Sequence, residues 1–207
     1  MAAKLGPYID QLASGLDAVI APRARGAIET WLARLEEWNA RIDLTAARSS
    51  PELVDLMLAD AIFLSPHIPH AASVVDIGAG AGAPGLALAL LRDDLRVTLV
   101  EPLGKRASFI RTVVGAVGRT DVVVERVRGQ SLAGQRAWDV ALSRATLPAS
   151  AWLELGTTLV VPGGSVWVLL AKDSPPARDG TGVDVDATYS WPLTGAARRA
   201  VRYRVAF

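Results

Sequence analysis

In the first third of the chain, apolar side chains recur at intervals of three and four. Ile28, Trp31, Leu32, Leu35 and Trp38 carry the repeat, with Glu29, Arg34, Glu36 and Glu37 filling positions between them. This spacing predicts a helix that buries one face. A second helix is predicted over residues 51–62, capped by Ser49 or Ser50, with Pro51 at the first position, where a missing N–H costs nothing.

From Ser73 the pattern changes. β-Branched, apolar runs at residues 74–77, 97–100, 122–127, 140–143 and 165–170 alternate with alanine- and leucine-rich or glycine-led stretches. Such runs suit strands buried on both faces, and the alternation is that of successive strand–helix units in a parallel sheet. Pro162-Gly163-Gly164 predicts a tight turn into the last run, and residues 201–207 a final edge strand. Residues 173–186, with Pro175, Pro176, Gly180 and Gly182, predict a loop. Trp31, Trp38 and Trp167 fall on a helix face or within an apolar strand, which assigns them to the core.

The strongest local signal is the string from Val74 to Gly85, VVDIGAGAGAPG. A strand delivers a glycine-rich turn into a helix beginning near Pro84, so that the backbone of Gly78, Gly80, Gly82 and Ala83 can approach a ligand closely. The string alone satisfies the dinucleotide pattern as well, leaving NAD(P), S-adenosylmethionine and a turn that merely packs helix on strand all standing. Asp76 lies before the first glycine, where a pyrophosphate would make its charge unwelcome and a sulfonium and an ammonium would attract it. Glu101 closes the next strand and can accept hydrogen bonds from ribose hydroxyls, which an adenosine ligand of either kind supplies. The two histidines, His67 and His70, precede the first strand, so hydride-transfer machinery is missing and S-adenosylmethionine is favoured. Flanking Pro69 without partners, they also make a poor metal site, and no metal is expected.

Composition narrows the choice further. The 207 residues are 51% hydrophobic and 21% charged, enough to bury a core. With no cysteine, disulfides, thiolate zinc sites and cysteine nucleophiles are excluded, and with them methylation at C5 of cytosine. Twenty-two basic against 21 acidic side chains leave a net charge of +1, so only local clusters point to nucleic acid. Lys105, Arg106 and Arg111 form one; Arg198, Arg199, Arg202 and Arg204 form another, in a tail without acids. The start, MAAKLGPYIDQ, lacks a long apolar run, and the expectation is a soluble, cytoplasmic, monomeric protein with no membrane partner.

Taken together, several pieces resemble the GidB family, bacterial methyltransferases that use S-adenosylmethionine to modify N7 of a guanine in small-subunit (16S) rRNA. The pieces are Trp38-Asn39, Asp43-Leu44-Thr45, Asp60, the loop ending Ala83-Pro84-Gly85, Leu103-Gly104-Lys105-Arg106 with Phe109 and Arg111, Ser143-Arg144-Ala145, Pro162-Gly163-Gly164 and Ala171-Lys172. The resemblance implies an α/β fold: a doubly wound, mainly parallel seven-stranded Rossmann-like methyltransferase sheet. It divides the chain into an N-terminal helical extension, residues 1–70, and a methyltransferase domain, residues 71–207. It assigns Gly78, Ala83, Gly129, Gln130 and Arg144 to cofactor contacts, with Arg144 also at the reacting end. Lys105, Arg106, Lys172, Arg198 and Arg199 are expected to hold RNA.

The chain departs from the family pattern in three places. Leu56 and Met57 stand where Arg-His is usual, Gln130 where an acid is usual, and Asp173 where glycine follows the lysine. Ser174-Pro175-Pro176-Ala177 lacks the aromatic that an exocyclic adenine methylase motif requires and falls a strand too late. Two alternatives follow from the departures: a diverged methyltransferase of another RNA or a small molecule, and a non-catalytic relative that binds cofactor or RNA.

Overall fold

The computed structural model describes residues 5–171 and 173–206. Helices α1 (Gly6–Gly15) and α2 (Pro22–Asn39) come first. Then follows one continuous helical rod: α3 (Ser50–Val54), a π-helical turn (Asp55–Ala59), α4 (Asp60–Leu64) and a 3-10 turn (Ser65–His67). The Ser49 side chain caps α3 by accepting from the Glu52 N–H, and Glu52 reaches back to the Arg48 N–H, a reciprocal pair at the helix start.

Strand–helix units follow. β1 (Ser73–Ile77), α5 (Gly85–Leu91), β2 (Arg96–Val100), α6 (Gly104–Ala116), β3 (Val123–Glu125), β4 (Trp138–Ser143), α7 (Ala149–Leu159) and β5 (Val160–Leu170) form the parallel part. β6 (Thr181–Ser190) and β7 (Ala197–Val205) complete the sheet, in the order β3-β2-β1-β4-β5-β7-β6. β7 runs antiparallel to both β5 and β6. No helix among the described residues is long and apolar enough to cross a membrane.

Three expectations change. The loop expected at 173–186 ends at β6, whose Val183, Val185, Ala187 and Tyr189 alternate with exposed or polar partners. The expected strand at 122–127 shortens to Val123–Glu125. The final strand is not an edge: it lies between β5 and β6. Phe207, part of that expectation, lies outside the described residues.

The core sits on both faces of the sheet. One cluster joins Ile9, Trp31 and Leu58 of the helical segment to Leu86, Phe109 and Trp167; the other packs α7 against Val75, Val166 and Tyr203. Trp31 and Trp167 are fully buried, and the half-buried Trp38 tilts against Phe109. The N-terminal helices therefore share a core with the sheet, which places the α2–α3 connection over the carboxyl ends of the strands.

Candidate active site

At the end of β1 the chain turns toward β2, with the Gly78 and Ala79 N–H groups both donating to the Val100 carbonyl (2.8 and 3.1 Å). The loop needs left-handed backbone at Gly78, Gly80 and Gly82, with φ of 76°, 59° and 113°. The reasons for glycine differ along the loop. A Cβ at Gly78 would lie 2.1 Å from Thr146 Oγ1, so that glycine makes room for the protein, and it also lines the cleft beside this loop. A Cβ at Gly80 would meet only the Gly78 carbonyl, at 3.8 Å, and would project into open space. Trp31 of α2 braces the loop, its Nε1–H donating to the Ala81 carbonyl (3.0 Å).

Two carboxylates hold the loop from below. Glu101, 3% exposed at the end of β2, accepts from the Gly80 N–H through Oε2 (2.9 Å) and from the Leu103 N–H through Oε1 (2.8 Å). Asp76 is fully buried; its Oδ2 accepts from the Gly85 N–H (2.8 Å) and its Oδ1 has no partner. Burial pushes the Asp76 carboxyl up to about 7, against the Gly85 hydrogen bond and the positive field of Arg144, which lower it.

The loop and Glu101 border a cleft of about 570 Å³, lined by Leu44, Met57, Gly80, Glu101, Arg106 and Arg144 among others; the fully buried Asp76 is not in its lining. Beside it is a cavity of about 280 Å³ with Asp60, Arg144, Trp152, Asp173, Trp191 and Arg198 in its walls. Leu56, Arg144 and Ala145 line both, so the two spaces share a partition at the carboxyl ends of the parallel strands, where doubly wound sheets bind ligands. Arg144 is the charged member of that partition. Its Nη1 donates to Asp60 Oδ2 (3.0 Å) and to the Leu56 carbonyl; its ion-pair partner is thus Asp60, not Asp76 or Glu101.

The cleft suits an adenosyl sulfonium ligand. It offers open backbone at Gly80 and an acidic side chain with spare lone pairs at Glu101, while Asp76, outside its lining, keeps a buried carboxylate oxygen that lacks a donor. Gly129 and Gln130, in the 3-10 turn after β3, do not fall in its lining: Gly129 packs on Ile77, and Gln130 points to solvent. Among the described residues no three His, Asp or Glu side chains are grouped to hold a metal ion.

The expected RNA-binding residues separate into three kinds. Lys105 and Arg106 border a depression of about 620 Å³ formed with Asn39–Asp43, and Arg106 also lines the cleft. Arg198 lies over the Trp191 ring at 3.7 Å from its centroid and lines the smaller cavity. Arg199, by contrast, makes a two-pronged pair with Asp186, and Arg202 and Arg204 both pair with Asp184. The tail lacks acids in sequence but acquires them from β6. Lys172 lies outside the described residues. Asp60, Leu44 and Thr45 appear among the family-matching pieces, but the sequence assigns them no role; the structure makes Asp60 the hub behind Arg144 and Leu44–Ala46 part of the cleft wall. An acid on an otherwise apolar helix face, Leu58 to Leu64, was the available signal.

Comparison with known proteins agrees with this geometry. The GidB family model, described as rRNA small subunit methyltransferase G, matches residues 25–176. A ribosomal RNA small subunit methyltransferase G of Anaeromyxobacter dehalogenans is 31% identical over 95% of this chain and 97% of its own length. That of Myxococcus xanthus is 34% identical over 83% and 82%. Among solved structures, a 1,6-didemethyltoxoflavin-N1-methyltransferase of Burkholderia thailandensis, with bound S-adenosylhomocysteine, aligns with a TM-score of 0.56 at 16% identity, covering 91% of this chain and 92% of that one.

Proposed function

Since this chain belongs to the GidB family of rRNA small subunit methyltransferases, we infer that it transfers a methyl group from S-adenosylmethionine to N7 of a guanine in small-subunit rRNA. The observation that carries the reading is the pair of spaces, donor cleft and smaller cavity, meeting at Arg144.

Bound in the cleft, S-adenosylmethionine supplies an electrophilic methyl group. Glu101 accepts from ribose hydroxyls and Gly80 lets the backbone approach, while the acidic pair Asp76 and Glu101 favours a cationic ligand. Guanine N7 has a free lone pair and no proton to lose, so the site needs no general base. The residues of the chain act by placement and electrostatics, the placement part reaching roughly 7 to 11 kcal/mol in the best intramolecular cases. Arg144 uses only Nη1 on protein partners among the described residues, leaving Nε and Nη2 able to hydrogen-bond a base carbonyl such as guanine O6. Positive charge develops on the purine as N7 is alkylated, and the carboxylates of Asp60 and Asp173 in the smaller cavity favour it. Lys105, Arg106 and Arg198 are the cations placed to hold phosphates beside these spaces.

The replacement of the usual Arg-His by Leu56-Met57 does not remove the contact to Arg144. That contact uses the Leu56 carbonyl, and Met57 is buried as cleft wall. The test is transfer of radiolabelled methyl to small ribosomal subunits and stripped rRNA from a strain lacking the modification, with the product nucleoside identified by mass spectrometry. Label in 7-methylguanosine is the expected result. Bound S-adenosylhomocysteine with no label in either RNA would reject the reading in favour of another acceptor or a non-catalytic role.

A further inference from the structure

Asp60 is 2% exposed, on α4, and its carboxylate is approached from three directions. Tyr189 Oη and Trp191 Nε1 both donate to Oδ1 (2.8 and 2.7 Å), leaving Oδ2 to face Arg144 Nη1 at 3.0 Å. A buried carboxylate is tolerated only when charge and lone pairs are answered, and here two neutral donors fix the rotamer while the cation neutralises the charge.

The donors are themselves held. Phe63, on the same helix as Asp60, stacks on Tyr189 with centroids 4.1 Å apart and planes within 1°. Arg198 covers Trp191. Asp55, at the start of the π-helical turn, accepts from the Leu193 and Thr194 N–H groups and the Thr194 hydroxyl, tying the β6–β7 connection to the same rod. The π turn has its own use. Its widened hydrogen-bond pattern accompanies a Leu56 carbonyl turned to Arg144, giving the guanidinium a second acceptor. Arg144, by contrast, is rooted at the strand end just before Ala145, an exposed residue in left-handed backbone.

We propose that Asp60, clamped by Tyr189 and Trp191, is the positioning residue of the site: it holds the Arg144 guanidinium on the partition between donor cleft and acceptor cavity. The proposal rests on the role given to Arg144 above, and its consequence is that the β6–β7 hairpin serves the reacting end through one carboxylate.

Asp60→Asn keeps the side-chain size and an acceptor for Tyr189 and Trp191 but removes the charge facing Arg144. The first readout is independent of activity: the side-chain N–H resonances of Arg144, identified by their loss in Arg144→Lys. Restricted guanidinium rotation is expected in the parent protein and free rotation in Asp60→Asn. The second is single-turnover methyl transfer to small ribosomal subunits. Asp60→Asn is expected to slow transfer by on the order of 10²-fold with the subunit KM within about threefold, and to add nothing on an Arg144→Ala background. If Asp60→Asn loses the near-UV signature of the folded chain, Asp60→Glu, which keeps the charge but moves it by a methylene, takes its place, with displaced Arg144 resonances expected instead of free rotation and the same slowing of transfer. Unchanged Arg144 resonances, or full additivity of the two substitutions, would overturn the proposal and leave Asp60 a structural ion pair. Parent-like transfer by Arg144→Ala would instead remove the role of Arg144, and with it any effect of Asp60 on the reaction, even if the resonances respond.

Discussion

Substituting Gly78 by alanine separates two reasons for a glycine in a ligand-binding loop. The left-handed backbone at φ 76° costs an L-residue about 1–2 kcal/mol. The added methyl would lie 2.1 Å from Thr146 Oγ1 and 2.9 Å from Thr146 Cβ, so Thr146 must move and its hydroxyl must leave the Ile77 carbonyl. Overpacking of this kind costs about 1–3 kcal/mol. The expected total, about 2–5 kcal/mol, lowers Tm by roughly 4–20 °C for a chain of this size. Thr146→Gly removes every atom in the way, so Gly78→Ala placed on it should keep only the backbone part, about 1–2 kcal/mol or roughly 2–8 °C. Thermal melts of the four proteins, with S-adenosylhomocysteine titrated into each by calorimetry, make the comparison. Recovery of both stability and affinity in the double variant is expected. If Tm recovers and affinity does not, the methyl is obstructing the ligand directly; if neither recovers, the packing argument is wrong.

Three further outcomes follow from the site. Asp76 has a folded value of about 7 against an ordinary 3.8, so the neutral form is favoured on folding and stability is lost as pH rises through that interval. Asp76→Asn should lack this loss in pH-dependent melts, and the parent affinity for S-adenosylmethionine should rise with pH through about 7 while that of the variant stays flat. Glu101→Gln offers an NH₂ to one of two backbone donors, leaving it unpaired; a loss of about 1–3 kcal/mol in stability, with weaker S-adenosylhomocysteine binding, should appear by melt and calorimetry. Lys105→Ala and Arg106→Ala should each reduce the salt slope of rRNA binding by about 1 in a filter-binding titration. Arg202→Ala, which removes a cation already paired with Asp184, should leave that slope unchanged.

Much of the donor side was legible because it is written in contiguous residues. The buried runs that became β1, β2, β4 and β5, the Ser49 cap, the glycine loop and Glu101 each depend on a few neighbours, and local periodicity or spacing exposes them. β6 reads as a loop in sequence because Pro175, Pro176, Gly180 and Gly182 lead into it, and only one of its faces, Val185, Ala187 and Tyr189, is partly covered. Its Asp184 and Asp186 answer the arginines of β7, so the tail looked more cationic alone than it is in the sheet. Asp60 contacts residues 84, 129 and 131 positions away, and no window along the chain contains such a set. Gly78 is legible as a turn glycine, but its neighbour Thr146, which leaves no room for a Cβ there, approaches it only once β1 and β4 are paired.

The placing of β7 between β5 and β6 has a consequence for synthesis. β7 is made after every other strand described, so β5 keeps a bare edge and β6 has no companion until Val205 clears the exit tunnel. Trp191 and Arg198, on either side of the β6–β7 turn, reach the acceptor cavity at the same moment. A nascent chain thus assembles its donor half first and its acceptor half last, so the cleft for the methyl donor is in place before the cavity beside it is closed.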